Sequence, residues 1–205
     1  MGILSHIKRI VVLFEKLNIN YVLCGGIACI LLGVDRVTLD IDFIVNIGNE
    51  ADISSLAVSF RNLGYLLSED EGLAAWREGG HWSIWIPDGY RLDIKFASSN
   101  LDYLSLKFRR RIIIDDFELW ISSLEELIAA KLIVLASQKD LEDALRLMIS
   151  YRREINWDKL SSYLGRDPVE YSKNLLDKIE SEFRDEPVML SKIRELKSLI
   201  RRLEE

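Results

Sequence analysis

The stretch from Tyr21 to Val45, YVLCGGIACILLGVDRVTLDIDFIV, decides how this chain is read. Tyr21 to Cys24 is a short apolar run suited to a buried strand, and Gly25-Gly26 lets the backbone turn tightly into a helix predicted over Ile27 to Leu32. A glycine turn at a helix start leaves backbone N–H groups with no side chain in the way, where a phosphate can be held by amide donors. Asp40-Ile41-Asp42 then opens the next strand. Side chains alternate faces along a strand, so Asp40 and Asp42 project to one side while Ile41, Phe43 and Val45 go to the other and are buried. Two carboxylates so placed repel each other unless a cation sits between them, and hard oxygen ligands at the edge of a phosphate site suit Mg²⁺, with Mn²⁺ as a substitute. Taken alone, an Asp-x-Asp at a strand start is often only a turn with a capping acid.

The glycine pair, a short helix ending in Gly33, and Arg36-x-Thr38-x-Asp40-Ile41-Asp42 together resemble the signature of the DNA polymerase β-like nucleotidyltransferase superfamily. The match is best to its small prokaryotic branch, which includes antibiotic nucleotidyltransferases and abortive-infection toxins of the toxin–antitoxin kind. The resemblance implies an α+β chain: a nucleotidyltransferase fold, with a mixed sheet flanked by helices, followed by a C-terminal helical domain. It also implies a third acid on a neighbouring strand in an apolar-acid-apolar setting, and Asp93 in Arg91-Leu92-Asp93-Ile94-Lys95-Phe96 meets that description. Asp40, Asp42 and Asp93 are then the catalytic and metal-holding carboxylates, and Gly25, Gly26, Arg36 and Thr38 belong to the nucleotide site. The superfamily usually has Ser at the second residue of the turn; with Gly26 there, one hydroxyl contact to phosphate is absent. Two plainer readings stay open: Asp93 as a solvated acid paired with Lys95, and Arg36 as a neutraliser of the carboxylates with no contact to the triphosphate.

The chain around this motif is consistent with such a fold. Ile3, Ile7, Ile10, Phe14 and Leu17 recur at helical spacing, predicting an amphipathic helix over residues 3 to 17. Asn49 to Asn62, with Ile53, Leu56, Ala57 and Phe60 on one side, reads as a crossover helix stopped by Gly64. Tyr65 to Leu67 reads as a short strand, and the acidic, glycine-bearing stretch from Ser68 to Gly80 as a mobile loop or a short helix around Leu73 to Trp76. His81 to Ile86 and Tyr90 to Phe96 flank Pro87-Asp88-Gly89 and form a hairpin. Its second strand buries Leu92, Ile94 and Phe96 and turns Asp93 outward with Arg91 and Lys95. Leu101 to Lys107 is a short helix or turn, and Ile112 to Ile114 pairs with Phe117 to Ile121 as a last strand pair.

Residues 1–121 are therefore expected to form the nucleotidyltransferase domain and residues 122–205 a helical domain that closes the nucleotide cleft. Ser123-Leu124-Glu125-Glu126 is a capping box that starts a helix through Leu135, with Leu124, Leu127, Ile128, Leu132 and Leu135 on its apolar face. Lys131 in that helix needs a partner, because burying a lone ammonium is costly. The abortive-infection branch, which this segment resembles, completes its nucleotide site with a helix lysine and a following basic-Asp-x-x-Asp element. By that resemblance Lys131 is a triphosphate contact and Asp140 its orienting carboxylate, with Asp143 pairing locally. The alternative is that Lys131 snorkels and Asp140 caps the next helix. Three amphipathic pieces follow, Trp157 to Leu164, Pro168 to Phe183 and Pro187 to Leu203. The stripe Ile193, Leu196, Ile200 and Leu203 packs on the helical domain, on a second copy, or under a basic partner surface.

Composition limits the partners. A net charge of −6 over 205 residues argues against a protein that coats nucleic acid, since neutralising phosphates needs a basic face, and it counts against a tRNA-end transferase. With only two histidines, His6 and His81, far apart in sequence, no Ser-His or metal-His arrangement is credible. Cys24 and Cys29 lack C-x-x-C spacing and read as buried, reduced thiols. No apolar run has the length of a membrane span, and the start, MGILSHIKRIVVLFEKL, carries charges inside its apolar stretch, unlike a signal peptide, so a cytoplasmic protein without membrane contact is expected. The function expected is Mg²⁺-dependent transfer of a nucleoside monophosphate from a nucleoside triphosphate to an acceptor hydroxyl on a small molecule, an RNA end or a protein, by a monomer or homodimer. Its rival is a catalytically silent binding or regulatory module on the same fold.

Overall fold

The computed structural model describes residues 2–135, 137–183 and 187–204, and it divides into two compact units, Met1–Ser123 and Leu124–Glu205. The first unit runs α1 (Ile3–Lys16), β1 (Asn20–Cys24), α2 (Gly25–Leu31), β2 (Asp40–Asn46), α3 (Glu50–Asn62), α4 (Glu69–Glu78), β3 (His81–Ile86), β4 (Tyr90–Phe96), α5 (Asn100–Lys107), β5 (Arg110–Ile114) and β6 (Phe117–Ile121). The strands form one mixed sheet in the order β3-β4-β2-β1-β6-β5. β2 runs parallel to β4 and antiparallel to β1, β1 is parallel to β6, and the two hairpins β3–β4 and β5–β6 form the edges. The α+β class expected from the sequence is the class observed.

Strand alternation gives the sheet two unlike faces. Phe43, Leu23, Trp82, Ile84, Leu92 and Ile94 are fully buried on one face, where Ile7, Ile10 and Phe14 of α1 and Ile53, Leu56 and Phe60 of α3 pack against them. Phe14 meets Phe43 edge-on at 5.2 Å between ring centroids, a geometry that adds to simple area burial. The other face carries the polar residues. Over part of it, Leu106 of α5 packs on Val22 and Ile44. α5 is fixed by the buried Asp102, which accepts from Lys95 Nζ at 2.6 Å and from the backbone N–H of Ser98 and Ser99, closing a capping box with Ser99.

Two elements of this unit differ from the sequence expectation. Tyr65 to Leu67 forms no strand; only Leu66 bridges, to Trp85 of the edge strand. Of the two forms expected for Ser68 to Gly80, loop or short helix, the helix is observed, and it extends beyond Leu73–Trp76 to the ten residues of α4, capped by the Ser68 side chain, which accepts from the Glu71 N–H, and ended by Gly79 in the left-handed conformation. Gly72 lies inside this helix. Its missing side chain lets α4 approach the Trp82 ring, which a Cβ would meet at 2.7 Å.

The second unit is helical: α6 (Leu124–Ala130), a π-helical segment Lys131–Leu135, α7 (Gln138–Ser150), α8 (Trp157–Leu164), α9 (Pro168–Glu182) and α10 (Pro187–Glu204). The single helix expected through Leu135 thus widens into a π-helical turn at Lys131, and the Leu135 side chain lies outside the described residues. Glu126, the acid of the expected capping box, is fully buried and takes the Tyr163 hydroxyl at 2.7 Å and the Lys159 ammonium at 2.7 Å. Ile193, Leu196 and Ile200 of α10 are buried within this unit, so most of the apolar stripe is satisfied there. Among the described residues, no helix is long and apolar enough to cross a membrane.

Candidate active site

Register places the acids. β2 and β4 are parallel with Asp40 opposite Arg91 and Asp42 opposite Asp93, and β3 adds Trp85 opposite Arg91 and Ser83 opposite Asp93. Cys24 of β1 stands opposite Asp42, and Leu66 opposite Trp85. Paired residues share a face, so two rows cross the polar face: Leu66, Trp85, Arg91 and Asp40, then Ser83, Asp93, Asp42 and Cys24. The structure therefore brings Asp40, Asp42 and Asp93 onto one face, on adjacent strands about 4.8 Å apart.

The glycine turn lies at the end of β1, beside Asp42. Gly25 has φ +63, and a Cβ there would fall 2.0 Å from Asp42 Oδ2, so this residue must be glycine for the carboxylate to sit where it does. A Cβ at Gly26 would meet the Arg36 guanidinium carbon and the Thr38 methyl, each at 3.1 Å. The space over both glycines is thus used by the chain's own Asp42, Arg36 and Thr38. Thr38 Oγ1 also accepts the Asp40 N–H at 3.2 Å, which fixes the entry to β2. α2 has only seven residues, so the Arg36 guanidinium is the main positive charge at this turn.

The other two acids are tied together. Arg91 Nε lies 2.8 Å from Asp93 Oδ2, and Arg91 Nη2 lies 3.2 Å from Asp40 Oδ1. The Ser83 hydroxyl donates to Asp93 Oδ1 at 2.5 Å. The pairing with Lys95 offered by the plainer reading of Asp93 is not formed, because Lys95 turns to Asp102. Among the described residues, no three His, Cys, Asp or Glu side chains are gathered closely enough to hold a metal ion. The donor set still suits one: hard carboxylate oxygens from facing positions of neighbouring strands, two of them already sharing a cation in the form of Arg91.

Lys131 and Asp140, the remaining candidates, belong to the second unit. The Lys131 side chain is 3% exposed and its Nζ lies 2.7 Å from Asp140 Oδ1 and 2.9 Å from Asp143 Oδ2. Asp140 is held in turn by the Ser137 hydroxyl. The buried ammonium therefore has carboxylate partners within its own unit, as a charge taken out of water requires.

Three residues of these rows are not singled out by the sequence: Arg91 as the bridge between acids, Ser83 as the donor to Asp93, and Trp85, which is 57% exposed in the same row as Arg91. The alternation of β4 does put Arg91 and Asp93 on one face. What a sequence does not carry is the parallel register that sets Arg91 against Asp40.

A protein-family model described as a nucleotidyltransferase of unknown function (DUF6036) matches residues 2–184. Among solved structures, the chain is similar to the solution structure of the antibiotic-resistance factor ANT(2'')-Ia, at 18% identity and a TM-score of 0.50, covering 88% of this chain and 92% of that one. A crystal structure of the same factor in complex with adenylyl-2''-tobramycin gives 18% identity and a TM-score of 0.51, covering 78% and 96%. An antigenic nucleotidyltransferase-like protein from Paracoccidioides brasiliensis gives 16% identity and a TM-score of 0.46, covering 90% and 89%. The two likenesses to the antibiotic-resistance factor show the fold. No functionally curated protein matches the chain.

Proposed function

Since the chain belongs to the DUF6036 family of nucleotidyltransferases, we propose that it moves a nucleoside monophosphate from a nucleoside triphosphate to an acceptor hydroxyl and releases pyrophosphate, with a divalent cation. One observation carries this reading: Asp40, Asp42 and Asp93 stand in register on one sheet face beside the Gly25-Gly26 turn.

Asp40, Asp42 and Asp93 would hold Mg²⁺ or Mn²⁺, whose chemistry is to neutralise charge on the triphosphate and to make the acceptor hydroxyl more acidic. Arg36, above the glycine turn, takes the β- and γ-phosphates as a planar donor fork. Asp93 lies farther along the row, toward the edge strand, with its orientation set by Ser83. Its carboxylate receives the acceptor's proton as the acceptor oxygen bonds the α-phosphorus and the bond to the bridging oxygen of the β-phosphate breaks. With the phosphates on the β1 side and the acids in the middle, the acceptor is left the β3 side, where the Trp85 indole offers a face for a ring to stack on. Lys131 is paired with both Asp140 and Asp143 in its own unit, and the reading rests on residues of the first unit.

The test is a screen of nucleoside triphosphates with Mg²⁺ for pyrophosphate release, alone and with aminoglycoside, RNA and protein acceptors. Release in at least one combination is expected, with a fall of about 100-fold or more in Asp93→Asn, the scale of losing a general base. Release that Asp93→Asn leaves intact would remove Asp93 from the chemistry. No release in any combination would favour the binding-module reading.

A further inference from the structure

Arg91 has a place that the proposed reaction does not explain. Its guanidinium spans Asp40 and Asp93 through separate nitrogens, at 3.2 and 2.8 Å. A divalent cation shared by these acids would need the same oxygens and would be repelled by the guanidinium, so the two cations compete for one position. The Arg91 side chain is 40% exposed and Asp40 is 43% exposed, and although the Arg91 Nε is covered, Arg91 is not among the core residues, so the guanidinium can turn out without opening the core. Asp93 would keep its Ser83 hydrogen bond when Arg91 leaves.

We propose that Arg91 is an exchangeable counter-cation: it neutralises Asp40 and Asp93 in the unliganded protein and gives way when a divalent cation arrives with a triphosphate. The inference rests on reading the three acids as the metal site. A metal ion alone must displace a guanidinium and offers it nothing in exchange. A metal–triphosphate complex brings phosphate oxygens with which the displaced guanidinium can pair. Metal would then be taken up with nucleotide and hardly at all before it, and the carboxylates would stay neutralised between turnovers.

The test measures binding of Mn²⁺ alone, from the electron paramagnetic resonance of the free ion, to the full-length wild type, Arg91→Gln, Arg91→Lys and Asp42→Asn, and to the Arg91→Gln/Asp42→Asn double variant. It is then repeated with a non-hydrolysable ATP analogue. Removing a unit charge a few ångströms from a divalent ion is worth roughly tenfold even with water-like screening. Arg91→Gln should therefore bind Mn²⁺ about tenfold tighter than wild type, Arg91→Lys should stay close to wild type, and Asp42→Asn should cancel the gain. With the analogue present the advantage of Arg91→Gln should shrink or reverse. Arg91→Met, which keeps the apolar stem, serves if the glutamine variant does not fold.

Equal Mn²⁺ affinity in wild type and the neutral variants, with Asp42→Asn still weakening both, overturns the role of Arg91 and leaves the metal site standing. Arg91→Lys binding as tightly as Arg91→Gln overturns it as well, since charge would not be the cause. If Asp42→Asn changes nothing in either background, the acids are not the metal site, and the inference falls together with the reading of function.

Discussion

Gly25 and Gly26 look interchangeable in sequence and differ in the structure. At Gly25 a substitution meets both a positive φ and a carboxylate oxygen 2.0 Å from the new Cβ, so Gly25→Ala should destabilise the protein by about 1–3 kcal/mol and push Asp42 from its place. At Gly26 a Cβ meets, at 3.1 Å, the far end of a flexible arginine and a threonine methyl, which can shift by a few tenths of an ångström. Gly26→Ala should therefore cost less, below about 1 kcal/mol. Chemical denaturation of the two variants checks the order, and equal losses would mean that Asp42 does not lean on Gly25. The sequence already indicated a glycine turn here and put Asp42 on the same strand face as Asp40. It did not show that the two features meet, because the contact depends on how β1 and β2 lie side by side, with Cys24 opposite Asp42.

The elements that were legible are those whose signals are local: the amphipathic period of α1, the Pro-Asp-Gly turn between β3 and β4, and the alternation along β2. α4 is longer than the short helix read around Leu73 to Trp76, although Ser68, the acidic first turn and Gly79 are all in view, because the fit of Gly72 against Trp82, a residue ten positions later, is not visible in the sequence. The widening of the backbone at Lys131 has no signal in the sequence that we can name. α5 allows a test at this scale. Burial pushes the Asp102 carboxyl up, but the hydrogen bonds from Lys95, Ser99 and Ser98 outweigh it and hold the group below its ordinary value of 3.8. A depressed carboxyl contributes stability that is present above its unfolded value and is lost as pH falls through the folded one. Unfolding free energy should thus decline once pH drops below about 4. Asp102→Asn should remove about 2 kcal/mol at pH 7 and flatten that acid limb. Denaturation curves from pH 7 to pH 2.5 check this, and an unchanged acid limb in the variant would show that α5 is held by its apolar contacts alone.

For the whole molecule, the question is whether the acid face is a binding site or a balanced set of charges. Three carboxylates on one face were expected to repel one another without a cation, which would make loss of one acid stabilising. Arg91 and Ser83 change that sign: Asp93 is paired at 2.8 Å and hydrogen-bonded at 2.5 Å, so neutralising it gives up contacts and does not relieve strain. Stability of the unliganded chain therefore says little about function, and the response to ligand must be read instead. A ligand that binds only the folded chain stabilises it by RT ln(1 + [L]/Kd), about 2.7 kcal/mol at a hundredfold excess over Kd. For a chain of this size, each kcal/mol moves the melting temperature by roughly 2–4 °C. Wild type should accordingly melt roughly 5–10 °C higher with Mg²⁺ and a saturating nucleoside triphosphate, and much less with Mg²⁺ alone. Asp42→Asn, with the fold retained, should show little of the combined shift, because it withdraws a carboxylate ligand from the middle of the row and leaves the buried core unchanged. If scanning calorimetry finds the same shift in both proteins, the nucleotide binds elsewhere on the chain, and the two acid rows are a structural arrangement of paired charges.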